Sequence, residues 1–214
     1  MEVDDALLYL SMWLADSTLE MLHFNGMPIR HYTPTDLPAL YAINQASTPG
    51  VGHEGSAEGL KRWIDLATCL VATDAGGAPL GFINLIEPGT LAYESANLRW
   101  FEAWQTEQGC DLLYVDRIAI SEAARGQGLG QRLYEAAFDI ASGRQWLGAE
   151  VNTDPDNPGS HKFHTHLGFA RIGEGIGITR LARGPGAQRT QQRMRRVIYV
   201  ARALAHDRLF SKCF

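Results

Sequence analysis

Alternating and continuous runs of hydrophobic positions predict seven short β-strands in this chain. The strongest pattern is Asp111–Ile120, in which seven of the ten residues are apolar. The other predicted strands are Pro28–Tyr32, Cys69–Thr73, Leu80–Glu87, Trp146–Val151, Phe169–Gly173 and Val197–Val200. Helical patterns separate several of these strands, so we expect a mixed α/β (α+β) domain.

Helical periodicity is clearest from Gly128 to about Ser142, where Leu129, Leu133 and Ala137 recur on one face. Three further helices are predicted, namely Thr35–Ala46 with Thr35 as the N-cap, Ser56–Leu66 with Ser56 as the N-cap, and Gly159–Leu167. The pattern divides the chain into a helical extension over residues 1–26, a domain over residues 27–203 and a tail over residues 204–214. A chain of 214 residues is long enough for one domain and short for two.

Composition excludes several classes of protein. No apolar run approaches the ~20 residues that span a bilayer, so we expect no membrane partner. The acidic start of the chain, Met1–Asp5, lacks the positive charge of a secretory signal, which predicts a cytoplasmic location. Cys69, Cys110 and Cys213 are odd in number and widely spaced, which predicts reduced thiols and no metal site.

Charge is distributed unevenly along the chain. The net charge is -5, yet eight arginines lie between Arg180 and Arg208. No aromatic and basic nucleic-acid module accompanies them, so we interpret them as a solvated surface and expect no nucleic-acid partner. An RNA- or ribosome-associated protein that uses this arginine-rich third remains the alternative.

A glycine-rich turn joins the strongest strand to the strongest helix. Such a turn brings backbone N–H groups and the positive end of the helix dipole together, which creates an anion site. The dinucleotide fingerprint fails because Gln131 stands where its last glycine is needed, and the ATP-type loop fails because no lysine is near. The spacing that fits is Arg-x-x-Gly-x-Gly, formed by Arg125, Gly126, Gln127, Gly128, Leu129 and Gly130.

At this turn the sequence resembles the GNAT superfamily of acetyl-CoA-dependent N-acetyltransferases. The resemblance continues into the next helix, where the family has an Asn, a Tyr seven residues later and a Leu-Gly-Phe end. Here Asn157, His164 and Leu167-Gly168-Phe169 stand at those spacings. The resemblance implies a GNAT-like fold, with a mixed, mostly antiparallel sheet of six to seven strands, splayed between strands four and five and flanked by about four helices.

The resemblance also implies acetyl-CoA as the cofactor and a set of residues that contact it. Backbone groups of the fourth strand would pair with the pantetheine amides, the glycine turn would hold the pyrophosphate, and the helix from Asn157 would line the channel. The implied contacts are Ile118, Ala119, Ile120, Arg125, Gly126, Gln127, Gly128, Leu129, Gly130, Asn157, Ser160 and Phe163.

Acetyl transfer to an amine requires a base for the ammonium proton and an acid for the leaving thiolate. Glu150 on the fifth strand and Asp116 on the fourth are the two candidate bases, with a water relay as a third option. His164 replaces the tyrosine that most members use as the acid, and a histidine can donate a proton near neutral pH.

The acceptor is predicted to be an amine of a small molecule or peptide. We interpret Pro88–Gly109 as a long loop whose aromatic residues Tyr93, Trp100 and Phe101 contact the acceptor. Transfer would occur by direct attack in a ternary complex. A non-catalytic acyl-CoA-binding module is the alternative, because the family's tyrosine is replaced, and a homodimer is left open.

Overall fold

The seven strands form one sheet in the computed structural model, which describes residues 27–181 and 191–204. Along the sheet the strands are ordered β1-β2-β3-β4-β5-β7-β6, and only β4 and β5 are parallel neighbours. The predicted mixed, mostly antiparallel sheet is therefore confirmed. The strands are β1 Ile29–His31, β2 Thr68–Thr73, β3 Pro79–Ile86, β4 Leu112–Ile120, β5 Trp146–Asp154, β6 Ala170–Leu181 and β7 Gln191–Ala203.

Strands β4 and β5 pair along only part of their length. Residues 112–115 of β4 pair with residues 146–149 of β5, whereas the rest of each strand runs on without the other. On its other edge β4 stays paired with β3 as far as Ile120. One edge of residues 116–120 is therefore open, which is the splay that the sequence predicted.

The described chain has five α-helices, one more than the sequence predicted. They are α1 Leu37–Ala46, α2 Ala57–Ile64, α3 Ala96–Gln108, α4 Leu129–Ile140 and α5 Pro158–His166. None of these helices is long and apolar enough to cross a membrane. Helix α2 begins as predicted at Ser56, whose Oγ accepts a 3.0 Å hydrogen bond from the Gly59 N–H.

The extra helix, α3, corrects the interpretation of Pro88–Gly109 as a loop. Ser95 caps its start by accepting from the Leu98 N–H, and Gly109 ends it with a left-handed φ of 61°. The hydrophobic pattern did not predict this helix because the helix contains few regularly spaced aliphatic residues. The predicted N-cap Thr35 is also wrong, since Thr35 lies inside a 3-10 turn, Pro34–Asp36, which Thr33 opens.

The two faces of the sheet carry different helices. Alternate residues of β4 illustrate this, because Leu113 and Val115 pack with α4 whereas Leu112 and Tyr114 pack with α3. The α4 face that the sequence predicted is buried, with Leu129, Leu133 and Ala137 at most 1% exposed. Helices α1 and α2 cover the β2–β4 part of the α3 side.

The predicted helical extension over residues 1–26 lies outside the described residues, as does the tail from residue 205 onwards. Residues 182–190, between β6 and β7, lie outside the described residues as well. The predicted domain boundaries therefore remain predictions.

Candidate active site

The splay between β4 and β5 opens into a cavity of about 1020 Å³. We divide its lining into two groups. The glycine side consists of Ile118, Ala119, Ile120, Arg125, Gly126, Gly128, Leu129, Gly130, Asn157, Ser160 and Phe163. The carboxylate side consists of Glu54, Trp63, Tyr93, Glu94, Asp116, Arg117 and Glu150.

The glycine side centres on the first turn of α4. Gly128 stands at the N-cap with φ 78°, and no side chain caps the helix. The earliest bond in this helix runs from the Arg132 N–H to the Gly128 carbonyl, so the N–H groups of the preceding turn lack helical partners. Gly126 also has a left-handed φ, 77°, which side chains rarely adopt. The turn therefore presents an uncapped helix start to the cavity.

Close packing joins this turn to α5. A Cβ on Gly130 would come within 3.1 Å of the Phe163 ring, so a larger residue would require the ring to shift slightly. Asn157 caps α5 through its Oδ1, which accepts from the Ser160 N–H at 3.1 Å. Asn157, Ser160 and Phe163 thus line the cavity from the start of one helix.

Arg125 and Gln127 are the two polar residues of the turn, and their side chains point to different surroundings. Arg125 lines the cavity, and its Nε donates to the Ile120 carbonyl at 3.2 Å. The Gln127 side chain donates to the Ala123 carbonyl at 3.0 Å, and Gln127 is absent from the cavity lining. Gln127 is therefore the one residue of the predicted turn that does not reach the cavity.

A buried arginine organises the carboxylate side. Arg117 donates to Asp116 at 2.6 Å, to Asn44 at 3.0 Å and to Glu54 at 3.2 Å from each of two nitrogens. Burial lowers the pKa of Arg117, but the charges of Asp116 and Glu54 outweigh burial and raise it above its usual value. Arg117 is therefore a fixed cation.

A register shift explains how two neighbours on one strand can meet. Arg117 pairs with Asn84 and Val115 pairs with Leu85, which leaves Asp116 as an extra residue in β4. Such a bulge re-aims side chains that would otherwise point to opposite faces. The bulge thus brings the Asp116 carboxylate and the Arg117 guanidinium to the same cavity.

Tyrosines and a tryptophan hold the carboxylates. The Tyr114 hydroxyl donates to Glu150 at 2.5 Å, and the Trp63 indole N–H donates to Glu54 at 3.2 Å. Burial, followed by nearby carboxylate charge, raises the pKa of Tyr114 well above 10. The pKa of Tyr93 is raised in the same way, by burial and by the charge of Asp116. Both phenols therefore stay protonated.

His164 is held in one tautomer. Its Nδ1 lies 2.8 Å from the Ser160 carbonyl, which can only accept, so Nδ1 carries the proton. Its Nε2 lies 2.7 Å from the Tyr134 hydroxyl and must accept from it. Burial lowers the pKa of His164, which favours this neutral form. Neutral His164 thus has its single N–H committed to the backbone.

The three aromatic residues predicted to contact the acceptor separate in the structure. Tyr93 lines the cavity, whereas Trp100 and Phe101 lie on α3 and do not. Phe101 is fully buried and would clash with any Cβ on Gly148, and Trp100 stacks on Tyr199 at 3.8 Å between ring centroids. Their aromatic character serves the core between α3 and the sheet.

Several lining residues escaped the sequence analysis. Glu54, Arg117 and Tyr134 line the cavity without belonging to a motif, although the charged pair at 116–117 inside the most apolar strand is a usable signal. Glu54 precedes a helix and carried no such signal. Within the described residues, no group of three histidine, cysteine or acidic residues is placed to hold a metal ion.

Comparison with known proteins defines the family. The model of the GNAT acetyltransferase family matches residues 37–169, more than half of the chain. The chain therefore belongs to the GNAT family of acetyltransferases. This membership confirms the resemblance, the enzyme class and acetyl-CoA as the cofactor of the family.

Individual relatives are more distant. A segment of 58 residues is 33% identical to N-alpha-acetyltransferase 30 of Schizosaccharomyces pombe and covers 27% of this chain and 39% of that protein. The phosphinothricin acetyltransferase of Sinorhizobium meliloti, solved with acetyl-CoA, is 20% identical over 84% of this chain and 89% of its own, with a TM-score of 0.58.

A third relative is the ribosomal-protein-S18-alanine N-acetyltransferase of Escherichia coli. It is 20% identical and has a TM-score of 0.54, covering 86% of this chain and 99% of its own. These structural likenesses support the fold. Their acceptors differ from one another, so they leave the acceptor of this chain to be inferred from its own cavity.

Proposed function

We propose that this protein transfers an acetyl group from acetyl-CoA to a primary amine of a small molecule or peptide, by direct attack in a ternary complex. The observation that carries the proposal is the cavity itself, which joins an uncapped helix start to a cluster of carboxylates through the β4–β5 splay. The first group suits a pyrophosphate and the second suits an ammonium.

The glycine side would hold the cofactor. N–H groups of the first turn of α4, with Arg125 beside them, would bind the pyrophosphate because they combine hydrogen-bond donors with a positive helix end. The open edge of β4 at Ile118, Ala119 and Ile120 would pair with the pantetheine amides as an added strand does. Acetyl-CoA supplies the activated acetyl group.

Glu150 is the base that we propose for the acceptor ammonium. Its carboxylate faces the cavity and takes a hydrogen bond from Tyr114, a neutral phenol. Asp116, the other predicted base, is instead bound to the guanidinium of Arg117 at 2.6 Å. Taking up a proton at Asp116 would disturb that ion pair, so we give Asp116 the role of fixing the charge around the acceptor.

His164 is less suited to protonate the thiolate than its position in the motif implied. Its N–H is used by Ser160 and its other nitrogen accepts from Tyr134. We therefore propose that His164 holds the wall of the channel, and that the proton from the attacking nitrogen reaches the sulfur directly or through water.

Release of free thiol tests the proposal. Acetyl-CoA is incubated with the protein and a panel of primary amines, and the free CoA thiol is measured. We expect release that depends on an amine and a mass gain of one acetyl group on that amine. Tight binding of acetyl-CoA with no release from any amine would instead support the non-catalytic binding module.

A further inference from the structure

The carboxylate side contains four acidic residues and one basic residue, which sets what kind of amine can enter. Its carboxylates are those of Glu54, Glu94, Asp116 and Glu150, and its cation is Arg117. Within the described residues, the lining holds one other arginine and no lysine, and that arginine, Arg125, belongs to the glycine side. The acceptor region therefore has a formal negative excess before any ligand binds.

Arg117 is not available to receive an anionic ligand. Its hydrogen bonds to Asp116, Asn44 and Glu54 occupy four of the five guanidinium N–H groups. The side chains of Arg117, Asp116 and Glu54 are only 8%, 10% and 10% exposed. A carboxylate that bound Arg117 through two N–H groups would have to displace a buried partner and leave it unpaired.

Two neutral side-chain donors of this region are committed. The Trp63 N–H donates to Glu54 and the Tyr114 hydroxyl donates to Glu150. Asn152 and Ser47 also line the cavity, and each carries a buried side-chain oxygen without a hydrogen-bond partner. The Asn152 Oδ1 can only accept a hydrogen bond, whereas the Ser47 hydroxyl can donate or accept one. The carboxylate side therefore offers a ligand chiefly acceptor oxygens.

We propose that the acceptor is a cationic primary amine that carries no carboxylate beside the reacting nitrogen. This inference rests on the proposed acetyl transfer. Two sources share this chemistry, namely a small free amine and the N-terminus of a peptide, whose first carboxyl group is an amide. Free α-amino acids are excluded because their carboxylate would lie among Glu54, Asp116 and Glu150 with no available cation.

Matched acceptors that differ only in the carboxylate test this inference. Tyramine, tyrosinamide, tyrosine and an amidated peptide beginning with tyrosine are compared by thiol release with acetyl-CoA, with rates corrected for the unprotonated fraction of each amine. We expect tyramine or tyrosinamide to be acetylated with a kcat/KM about 100-fold above that of tyrosine, because like charges oppose binding. Phenethylamine and phenylalanine form a second pair with the same expectation.

The outcomes separate the two proposals. Equal or faster acetylation of tyrosine than of tyramine, or of phenylalanine than of phenethylamine, would overturn the carboxylate exclusion and leave acetyl transfer standing. Absence of release from every amine would overturn the proposed function itself. Faster reaction of the amidated peptide than of tyramine and tyrosinamide identifies a peptide N-terminus as the source, and the reverse identifies a small amine.

A charge variant ties the preference to this cavity. Glu94 is exposed at the cavity wall, and Glu94→Gln should narrow the tyramine-to-tyrosine ratio several-fold by removing one negative charge. Glu135 is exposed on α4 and absent from the lining, so Glu135→Gln should leave the ratio unchanged. Identical ratios in both variants would contradict an electrostatic origin at this wall.

Discussion

Backbone groups of one glycine turn and one strand edge form most of the glycine side, whereas the carboxylate side presents charged side chains from several separate segments. Residues 118–130 supply most of the first group. The second group draws on the loop before α2, the loop before α3, and strands β4 and β5. The difference teaches that a ligand common to a family can be bound by local backbone geometry, while selectivity for a partner depends on long-range packing.

The two sides should also respond differently to substitution. A backbone site depends on φ values that a side chain would strain, and a charge network depends on every member being present. The following variants test that contrast.

The largest effect is expected from removing the central cation. Arg117→Met leaves Glu54 and Asp116 buried without their partner, and we expect the free energy of unfolding to fall by about 3–5 kcal/mol. Urea denaturation measures the loss. Arg144→Met is the control, because Arg144 pairs with Glu87 and Asp111 at the surface and should cost less than about 1 kcal/mol. A similar loss of unfolding free energy in both variants would show that the buried charge network contributes no more to stability than a surface ion pair.

Loss of the proposed base should be the next largest effect. Glu150→Gln keeps the shape and the partner Tyr114 but cannot accept the proton, so kcat should fall about 100-fold while acetyl-CoA affinity is unchanged. Steady-state kinetics with a reactive amine measures the fall, and calorimetry measures the affinity. Glu135→Gln on the exposed face of α4 serves as the control. A kcat within a few-fold of the parent would point to the water relay instead.

Replacing a single glycine should weaken cofactor binding at the glycine side. Gly128→Ala forces a side chain into a left-handed backbone, which costs about 1–2 kcal/mol, and should weaken acetyl-CoA binding about tenfold by shifting the helix start. Gly77→Ala imposes the same strain in a distant hairpin, where φ is 86° and neighbouring space is equally open. If both variants bind acetyl-CoA equally well, the turn is not the pyrophosphate site.

The smallest effect is a pH dependence of stability. Because burial lowers the pKa of His164 in the folded protein, the unfolded chain binds the proton more readily. His164 therefore stabilises the fold fully above about pH 6.5, and this contribution declines as the pH falls towards the lowered pKa of the folded state. The slope from this residue is at most about 1.4 kcal/mol per pH unit.

His164→Asn should flatten that slope, since the amide does not titrate, and denaturation at pH 7, 6 and 5 measures it. His166→Asn on the same helix is the control, because His166 is exposed. An unchanged slope in His164→Asn would mean that other groups cause the acid sensitivity.

Local sequence was sufficient for the glycine side because its signals are close together. The strong strand, the Arg-x-x-Gly-x-Gly spacing and the α4 periodicity follow one another between Asp111 and about Ser142, and backbone preferences act within each of these segments. The sequence did not predict α3, and Trp100 and Phe101 were expected to contact the acceptor. In the structure their rings pack instead against Gly173 and Gly148, which leave room for them. Those glycines lie far away in sequence and gave no hint of this packing.

The sequence by itself determined the class of fold and the glycine turn, since each depends on neighbouring residues and their backbone preferences. Its resemblance to the GNAT superfamily, and not local geometry, implied the cofactor. Only the tertiary structure decided what surrounds the acceptor. A register shift in β4 turned Asp116 towards Arg117, and packing of α2 brought Glu54 across from 63 positions away in the chain. Burial then made each of these charges depend on the others, which no single segment encodes.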